Sequence, residues 1–179
     1  MMVSIRKFCE KDIPYKVKWI NDPQNNKYLH YTLPLCEAGT KEWFDRNKNA
    51  ENRLDMTILY GSEPVGIIGL LNIDKCQKNA ELYITVGEQK YKGIGVAGKA
   101  IQRLLQIGFR MLCLQDVYLF TESGNSAAIR AYEKFGFYKT AEVQMPRQDS
   151  NCNVTLYRYE IKKENYDMQY GLQGMDSDI

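Results

Sequence analysis

The chain has 179 residues, of which 44% are hydrophobic and 26% charged, and its formal net charge is +2 at pH 7. These values are typical of one globular domain with a buried core, and they exclude wholesale disorder. So small a net charge gives no strong field, and it favours neither a nucleic acid nor a membrane as partner. The five scattered cysteines and the single histidine predict neither a zinc site nor a disulfide framework. Because no apolar leader or membrane-length run is found, we expect a cytoplasmic protein.

The first quarter of the chain predicts a strand followed by short helices. Residues 2–8 alternate between apolar and polar side chains, as a strand does. Asp12 is suited to cap a first helix, Asp22 followed by Pro23 to begin a second, and Thr40 to cap a third.

The middle of the chain predicts three antiparallel strands and a crossover. Residues 54–60 and 65–73 flank turn chemistry typical of a hairpin, and residues 81–86 alternate as a third strand. A helix then leads to a further strand at residues 116–122. Because such strand–helix–strand connections are right-handed, we expect that strand to lie parallel to the one before the helix.

A glycine-rich segment opens the crossover helix. It reads Lys92-Gly93-Ile94-Gly95-Val96-Ala97-Gly98. Glycines let backbone amides approach an anion closely, and the unpaired N–H groups and dipole of a helix N-terminus favour phosphate. The segment therefore predicts a phosphate cradle, beside which Lys92 adds a positive charge.

The same segment spells the dinucleotide-binding fingerprint, and Glu122 lies roughly where a ribose-binding acid would be. That fingerprint requires its first glycine almost directly after a strand, whereas residues 88–92 intervene here. The chain after Glu122 is also too short for repeated βαβ units. No Gly-Lys-Ser/Thr follows, so the ATP-type loop is a weaker match. An NAD-type oxidoreductase is kept as the alternative.

The last third predicts a capped helix, a strand pair and a tail. Asn125 is suited to cap a helix that Gly136 ends in a left-handed conformation. Residues 138–145 and 154–161 predict the strand pair. The domain therefore spans residues 1–161, and the polar residues 162–179 are predicted to be a flexible tail.

Two motifs resemble the GNAT superfamily of N-acetyltransferases. Residues 125–137 are similar to its Asn-x-x-Ala-x-x-x-Tyr-Glu-Lys-x-Gly-Phe segment, and residues 92–97 to its Arg/Gln-x-x-Gly-x-Gly/Ala loop. Within the superfamily, Trp-Ile-Asn-Asp-Pro at residues 19–23 resembles the branch of ribosomal-protein-alanine and spermidine acetyltransferases. The resemblance implies an α+β fold with a single mixed, mostly antiparallel sheet, flanking helices, and one parallel crossover at the cofactor loop.

The resemblance also implies acetyl-CoA as cofactor and direct acetyl transfer, within a ternary complex, to a primary amine of a small molecule or a protein. The main chain at Thr85 and Val86 would pair with the pantetheine arm, and one amide there would face the thioester oxygen. The other implied cofactor contacts are Lys92, Gly93, Ile94, Gly95, Val96, Ala97 and Asn125. The family's Arg or Gln is replaced here by Lys92, which cannot grip a phosphate bidentately. Phe120 stands where some members carry a glutamate base.

Three further residues are assigned to the chemistry. Tyr132 would protonate the departing sulfur, although a Tyr at helical spacing on an apolar face is also typical of a core. Glu81 would attract the substrate ammonium or accept its proton through water, unless it is a solvated strand-end carboxylate. Tyr83 shares the face of Glu81 and would line the acceptor site, whereas His30 is expected to be structural.

The acceptor is left open among polyamine, protein N-terminus, aminoglycoside and amino-sugar nucleotide. A catalytically silent acyl-CoA-binding protein of the same fold is a further alternative. The predicted edge strands permit a homodimer.

Overall fold

The computed structural model describes residues 2–146 and 153–170. Seven strands form one sheet in the order β1-β2-β3-β4-β5-β7-β6. The strands are β1 (Val3–Lys7), β2 (Leu54–Tyr60), β3 (Glu63–Asp74), β4 (Asn79–Val86), β5 (Asp116–Glu122), β6 (Tyr138–Pro146) and β7 (Asn153–Lys162). Among these described strands β4 and β5 are the one parallel pair. The predicted hairpin, crossover and final strand pair are therefore confirmed.

Six α-helices flank the sheet within the described residues. They are α1 (Ile13–Asn21), α2 (Pro23–Asn26), α3 (Glu37–Asn47), α4 (Val96–Gln106), α5 (Ser126–Lys134) and α6 (Lys163–Tyr170). A π-helical turn, Ile107–Met111, continues α4. As predicted, the side chain of Asp22 caps α2 by accepting from the Gln24 amide, and Gly136 follows α5 with a φ of +86°.

Apolar side chains alternate along the central strands and so build a core on each face of the sheet. Ile68 belongs to the larger core, which contains Leu104 of α4 and Tyr166 of α6. Its neighbour Ile67 belongs to the smaller core, which contains Trp19 of α1. Because successive strand residues point to opposite faces, α4 and α1 cover opposite sides of the sheet.

Of two other predicted helix caps, one holds in position only and one is wrong. Asp12 is the N-cap residue of α1, as predicted, but its side chain makes no capping hydrogen bond to that helix and instead lies buried among groups from other elements. Thr40 is buried inside α3, whose N-cap is Cys36. Both residues were assigned from their chemistry alone, and the tertiary packing decides how each is used.

The segment predicted as a flexible tail contains a helix. Residues 163–170 form α6, and the ring of Tyr166 packs 5.2 Å from that of Phe109, centroid to centroid. Tyr170 packs against the same core, and Asp167 pairs with Arg110 at 2.6 Å, so aromatic and ionic contacts dock this short helix despite its polar composition. Residues 171–179, and the predicted loop at 147–152, lie outside the described residues.

Candidate active site

A slot opens between β4 and β5. Their pairing runs from Asn79 with Asp116 to Glu81 with Tyr118, yet β4 continues to Val86 and β5 to Glu122. Beyond Glu81 the facing edges of the two strands are not paired with each other. Their main-chain groups are therefore available to a third, extended chain laid between them.

The strand register identifies which amides face this slot. In an antiparallel pair, opposing residues alternate between hydrogen-bonded and non-hydrogen-bonded positions. Gly87 donates its N–H to the Val65 carbonyl at 2.8 Å, so the alternation directs the N–H of Thr85 to β3 as well. The amides of Ile84 and Val86 then face the slot. The register thus favours Val86, as predicted, and replaces Thr85 by Ile84.

The glycine-rich segment forms a cradle at the start of α4. Gly93 and Gly95 have φ angles of +75° and +89°, and Gly95 is the N-cap of the helix. The first helical bond runs from Lys99 N–H to the Gly95 carbonyl at 3.2 Å. The N–H groups of Val96, Ala97 and Gly98 precede it and have no acceptor within the helix. A run of free donors at a positive helix end fits a diphosphate.

Lys92 does not extend freely beside this cradle. Its Nζ lies 2.5 Å from Asn25 Oδ1 and 3.5 Å from the Gln24 carbonyl. Partial burial, opposed by the nearby charge of Asp22, lowers the pKa of this ammonium. The charge is thus fixed between the cradle and α2, and a direct phosphate contact by Lys92 stays a prediction.

The segment from Trp19 to Asn25 supports the connection between β4 and the cradle. Trp19 Nε1 donates to Glu88 Oε1 at 2.8 Å, and its ring fills the space that a side chain on Gly87 would need. Asn25 Nδ2 donates to the carbonyls of Trp19 (3.0 Å) and Gly87 (2.9 Å). From the sequence alone, residues 19–23 indicated only a family resemblance, and the role of this segment in positioning the connection was not predicted.

Tyr132 lies on α5, whose position is fixed at both ends. The Asn125 side chain caps the helix by accepting from the Ala128 amide at 3.3 Å, as predicted. Beyond the other end, the ring of Phe135 occupies the space left by the missing side chain of Gly98. Burial raises the pKa of Tyr132 to about 12, and its hydroxyl makes no hydrogen bond within the described residues. The phenol therefore stays protonated at neutral pH and has a proton to donate.

Glu81 lies where the two strands part. Its Oε2 accepts from Asn72 Nδ2 at 3.0 Å, and burial raises the pKa of the carboxyl above its ordinary value. Tyr118 is its register partner across β5. A half-buried carboxylate at the apex of the slot is more than a solvated strand end, but its role in proton transfer stays a prediction.

Tyr83 lines a cavity of about 560 Å³ on the α1 and α3 side of the sheet. Its hydroxyl donates to Asp55 Oδ1 at 2.6 Å, and its ring crosses Gly69, where a side chain would collide with it. Lys16 and Arg53 line the same cavity, and neither was predicted from the sequence as a site residue. No local pattern marks them, because the chain brings them together from α1 and the loop before β2.

The single histidine lies on the opposite lip of the slot. His30 Nε2 is 3.4 Å from Glu122 Oε1, at the end of β5. Glu122, the candidate ribose-binding acid of the dinucleotide alternative, is thereby engaged with the loop that follows α2. Within residues 2–146 and 153–170, no cluster of side chains suits a metal ion, and no helix is both long and apolar enough to cross a membrane.

Residues 3–138 match the family model described as the acetyltransferase (GNAT) domain. Since the match covers most of the chain, the protein belongs to the GNAT acetyltransferase family. The predicted fold and an acetyl-CoA-dependent N-acetyltransferase activity are confirmed, in place of the NAD-type oxidoreductase.

The chain is similar to spermidine N(1)-acetyltransferase of Escherichia coli (strain K12), with 27% identity over 141 residues that cover 79% of this chain and 75% of that protein. It is 22% identical to the putative ribosomal N-acetyltransferase YdaF of Bacillus subtilis (strain 168) over 174 residues, or 92% and 93% of the two chains. A crystal structure of spermidine N-acetyltransferase from Vibrio cholerae, in complex with CoA and spermine, matches with a TM-score of 0.84. Its identity is 19%, with 92% and 97% of the two chains covered, so this likeness establishes the fold.

Proposed function

We propose that this enzyme transfers acetyl directly from acetyl-CoA to a primary amine held in the same complex. The observation that carries the proposal is the meeting of the β4–β5 slot with the cradle of Gly93 and Gly95. The slot suits an extended pantetheine arm and the cradle a diphosphate, which are adjoining parts of one cofactor. When bound, acetyl-CoA supplies an activated acetyl thioester.

The chain's own groups then have distinct roles. The amides of Ile84 and Val86 bind the arm, and one of them donates to the acetyl oxygen as negative charge develops there. Such a donor contributes about 3 kcal/mol to catalysis. Holding thioester and amine in line contributes more, roughly 7–11 kcal/mol when the geometry is good.

Two side chains move protons in this proposal. Tyr132 donates its phenolic proton to the departing sulfur. Its pKa of about 12 keeps the phenol protonated until this transfer. Glu81 draws the ammonium form of the acceptor to the slot and takes up its proton through water. Because burial raises the pKa of Glu81 toward neutral pH, this carboxylate is a better base than an exposed one.

Ligand-dependent melting tests the cofactor assignment. We expect acetyl-CoA, and not NADH, to raise the melting temperature, because only the former fits both cradle and slot. Release of free thiol in the presence of amines then separates an active enzyme from a silent acyl-CoA-binding protein. Protection by NADH alone would contradict the proposal.

Replacing Gly95 by Ala should weaken acetyl-CoA binding. The left-handed conformation costs a residue with a Cβ about 1–2 kcal/mol, and a bound diphosphate requires that conformation, whereas the free loop can relax. We expect Kd to rise roughly 5- to 30-fold in calorimetric titrations. Gly61→Ala is the matched control, because Gly61 is also left-handed (φ +61°), has no atoms where a Cβ would lie, and is in the remote β2–β3 turn. Equal affinities of the two variants would contradict the cradle.

An amine of either a small molecule or a protein is compatible with this mechanism. A homodimer and a cytoplasmic location stay predictions from the sequence.

A further inference from the structure

The cavity beside Tyr83 carries positive charge. Its charged lining groups, among the described residues, are Lys16 from α1 and Arg53 from the loop before β2. The remaining walls include the aromatic rings of Tyr31, Trp43 and Tyr83. Tyr83 directly precedes Ile84, whose amide faces the slot, so a ligand in this cavity lies beside the transfer site.

Lys16 is a buried cation without a carboxylate of its own. The residue is only 6% exposed, and within the described residues its ammonium makes no hydrogen bond or ion pair. Its Nζ instead lies 3.1 Å from the centroid of the Trp43 ring. Burial costs a charged group its hydration, and a ring face restores only part of that loss.

The nearest carboxylate is already occupied. Asp55 accepts from Arg53 Nε at 2.8 Å and from a terminal Arg53 nitrogen at 2.9 Å. The Tyr83 hydroxyl donates a third hydrogen bond to it. Arg53 therefore neutralises Asp55, and the charge of Lys16 is left over.

The pKa of Lys16 is consistent with a buried ammonium that has no carboxylate of its own. Burial lowers the pKa of its ammonium to about 8; Asp55 opposes the decrease and Arg53 adds to it. At neutral pH most of the population remains protonated. An anion bound beside it would raise that pKa and recover electrostatic free energy.

The first turn of α3 adds to the positive potential. Cys36, the N-cap, and Gly39 and Thr40 line the cavity. Because these residues belong to the N-cap and first turn of α3, an 11-residue helix, the positive end of its dipole lies at the cavity, where Glu37 of the same turn offsets part of it. The buried lysine and the helix end thus converge on the cavity from two parts of the chain.

We propose that the amine acceptor also carries an oxyanion, a carboxylate or a phosphate, which binds in this cavity beside Lys16 and the first turn of α3. The aromatic walls pack against the body of the acceptor, whose amine extends to the slot. This inference rests on the proposed acetyl transfer and narrows its substrate class. A polyamine, which is cationic along its whole length, would meet like charge here, and among the described residues no carboxylate lines the cavity.

Amines of different charge test the inference. We suggest spermidine, glucosamine, glucosamine 6-phosphate and glycylglycine, with thiol release as the assay. We expect glucosamine 6-phosphate or glycylglycine to be used with at least about tenfold higher kcat/KM than spermidine. Comparing glucosamine with glucosamine 6-phosphate isolates the effect of the phosphate on kcat/KM. Glycylglycine shows the effect of a carboxylate.

Lys16→Met removes the charge and keeps the length of the side chain on Trp43. We expect KM for the preferred oxyanion acceptor to rise roughly 10- to 100-fold, as for loss of a charged hydrogen bond, with kcat little changed. Lys16→Arg keeps the charge and should retain most of the affinity. Lys41→Met, on the exposed side of α3, is the control for a general change of net charge, because Lys41 pairs with Asp45 outside the cavity.

The possible failures are distinguishable. Preferred use of spermidine, with Lys16→Met no worse than wild type, would overturn the oxyanion site and leave the acetyltransferase mechanism intact. Absence of thiol release from every amine would instead contradict the proposed catalysis. In that case calorimetry can measure the binding of glucosamine 6-phosphate to wild type and to Lys16→Met without any turnover. Equal affinities of the two proteins would refute the oxyanion site.

Discussion

Tyr132→Phe is expected to lower kcat by about 10²- to 10⁴-fold while leaving the affinity for acetyl-CoA nearly unchanged. The substitution removes one oxygen and keeps the ring, which packs 5.9 Å from that of Phe137. Within the described residues the hydroxyl makes no hydrogen bond, so its loss leaves no buried partner unsatisfied. Turnover is measured by thiol release, and affinity by calorimetric titration.

Tyr138→Phe is the matched control, because Tyr138 lies exposed on β6 and its hydroxyl is 3.5 Å from Glu160. It should behave as wild type. If Tyr132→Phe also turns over at the wild-type rate, the general acid is another group and the tyrosine belongs only to the core.

The pH profile gives a second readout for Tyr132. Burial raises its pKa to about 12 from an ordinary value of 10.0, so the neutral form persists on the alkaline side. We therefore expect no loss of wild-type kcat from this group as pH rises from 7 to 10. A fall in kcat with an apparent pKa near 10 would indicate an unshifted tyrosine.

Asp12→Ala is expected to lower the free energy of unfolding by about 1–3 kcal/mol, the range for leaving buried hydrogen-bonding groups without a partner. The charge of Arg6, whose side chain is 40% exposed, remains accessible to water in the variant. Arg6 donates to both carboxylate oxygens, at 2.6 and 2.7 Å. The Cys9 amide (2.9 Å) and the Thr57 hydroxyl (2.8 Å) donate to the same carboxylate. Without it, three donors beneath α1 lose their acceptor. Urea denaturation of the variant measures the loss.

Asp45→Ala provides the comparison for Asp12→Ala. Asp45 also accepts from two cations, Lys41 at 2.6 Å and Lys48 at 2.9 Å, but on the exposed face of α3. Water and salt screen such surface pairs, so their loss should change the stability little. A similar, small loss in both variants would show that the Asp12 cluster contributes no more than a surface ion pair.

The stabilisation by Asp12 should also depend on pH. Burial alone would raise its pKa, but the hydrogen bonds from Arg6, Cys9 and Thr57 outweigh it and lower the pKa below the ordinary value of 3.8. The contribution is then complete above the pKa of the unfolded state. It is lost as pH falls through the lower, folded-state pKa, so wild type and Asp12→Ala should converge in stability in strong acid.

Local sequence signals predicted much of the fold and part of the site. Gly136 occupies the left-handed position expected of it, the glycine-rich segment begins α4 as predicted, and Asn125 caps its helix, because each signal acts within a few residues. Tertiary contacts reassigned Asp12, whose partner Thr57 is 45 residues away. The cavity charges were missed for the same reason, since Lys16 and Arg53 become neighbours only once α1 packs on the sheet.

The hydrogen bonds of Asn21 and Asn25 have a consequence for cooperativity. Asn21 is joined in both directions to the main chain of Leu35, at the rim of the acceptor cavity, at 2.9 and 2.8 Å. Asn25, in the short helix α2 that follows, holds Gly87 and Lys92 beside the glycine cradle. The segment from Asn21 to Asn25 thus contacts both regions proposed to bind the substrates. If a ligand in one of these regions changes the affinity of the other region by some factor, thermodynamic linkage requires that a ligand in the second changes the affinity of the first by the same factor.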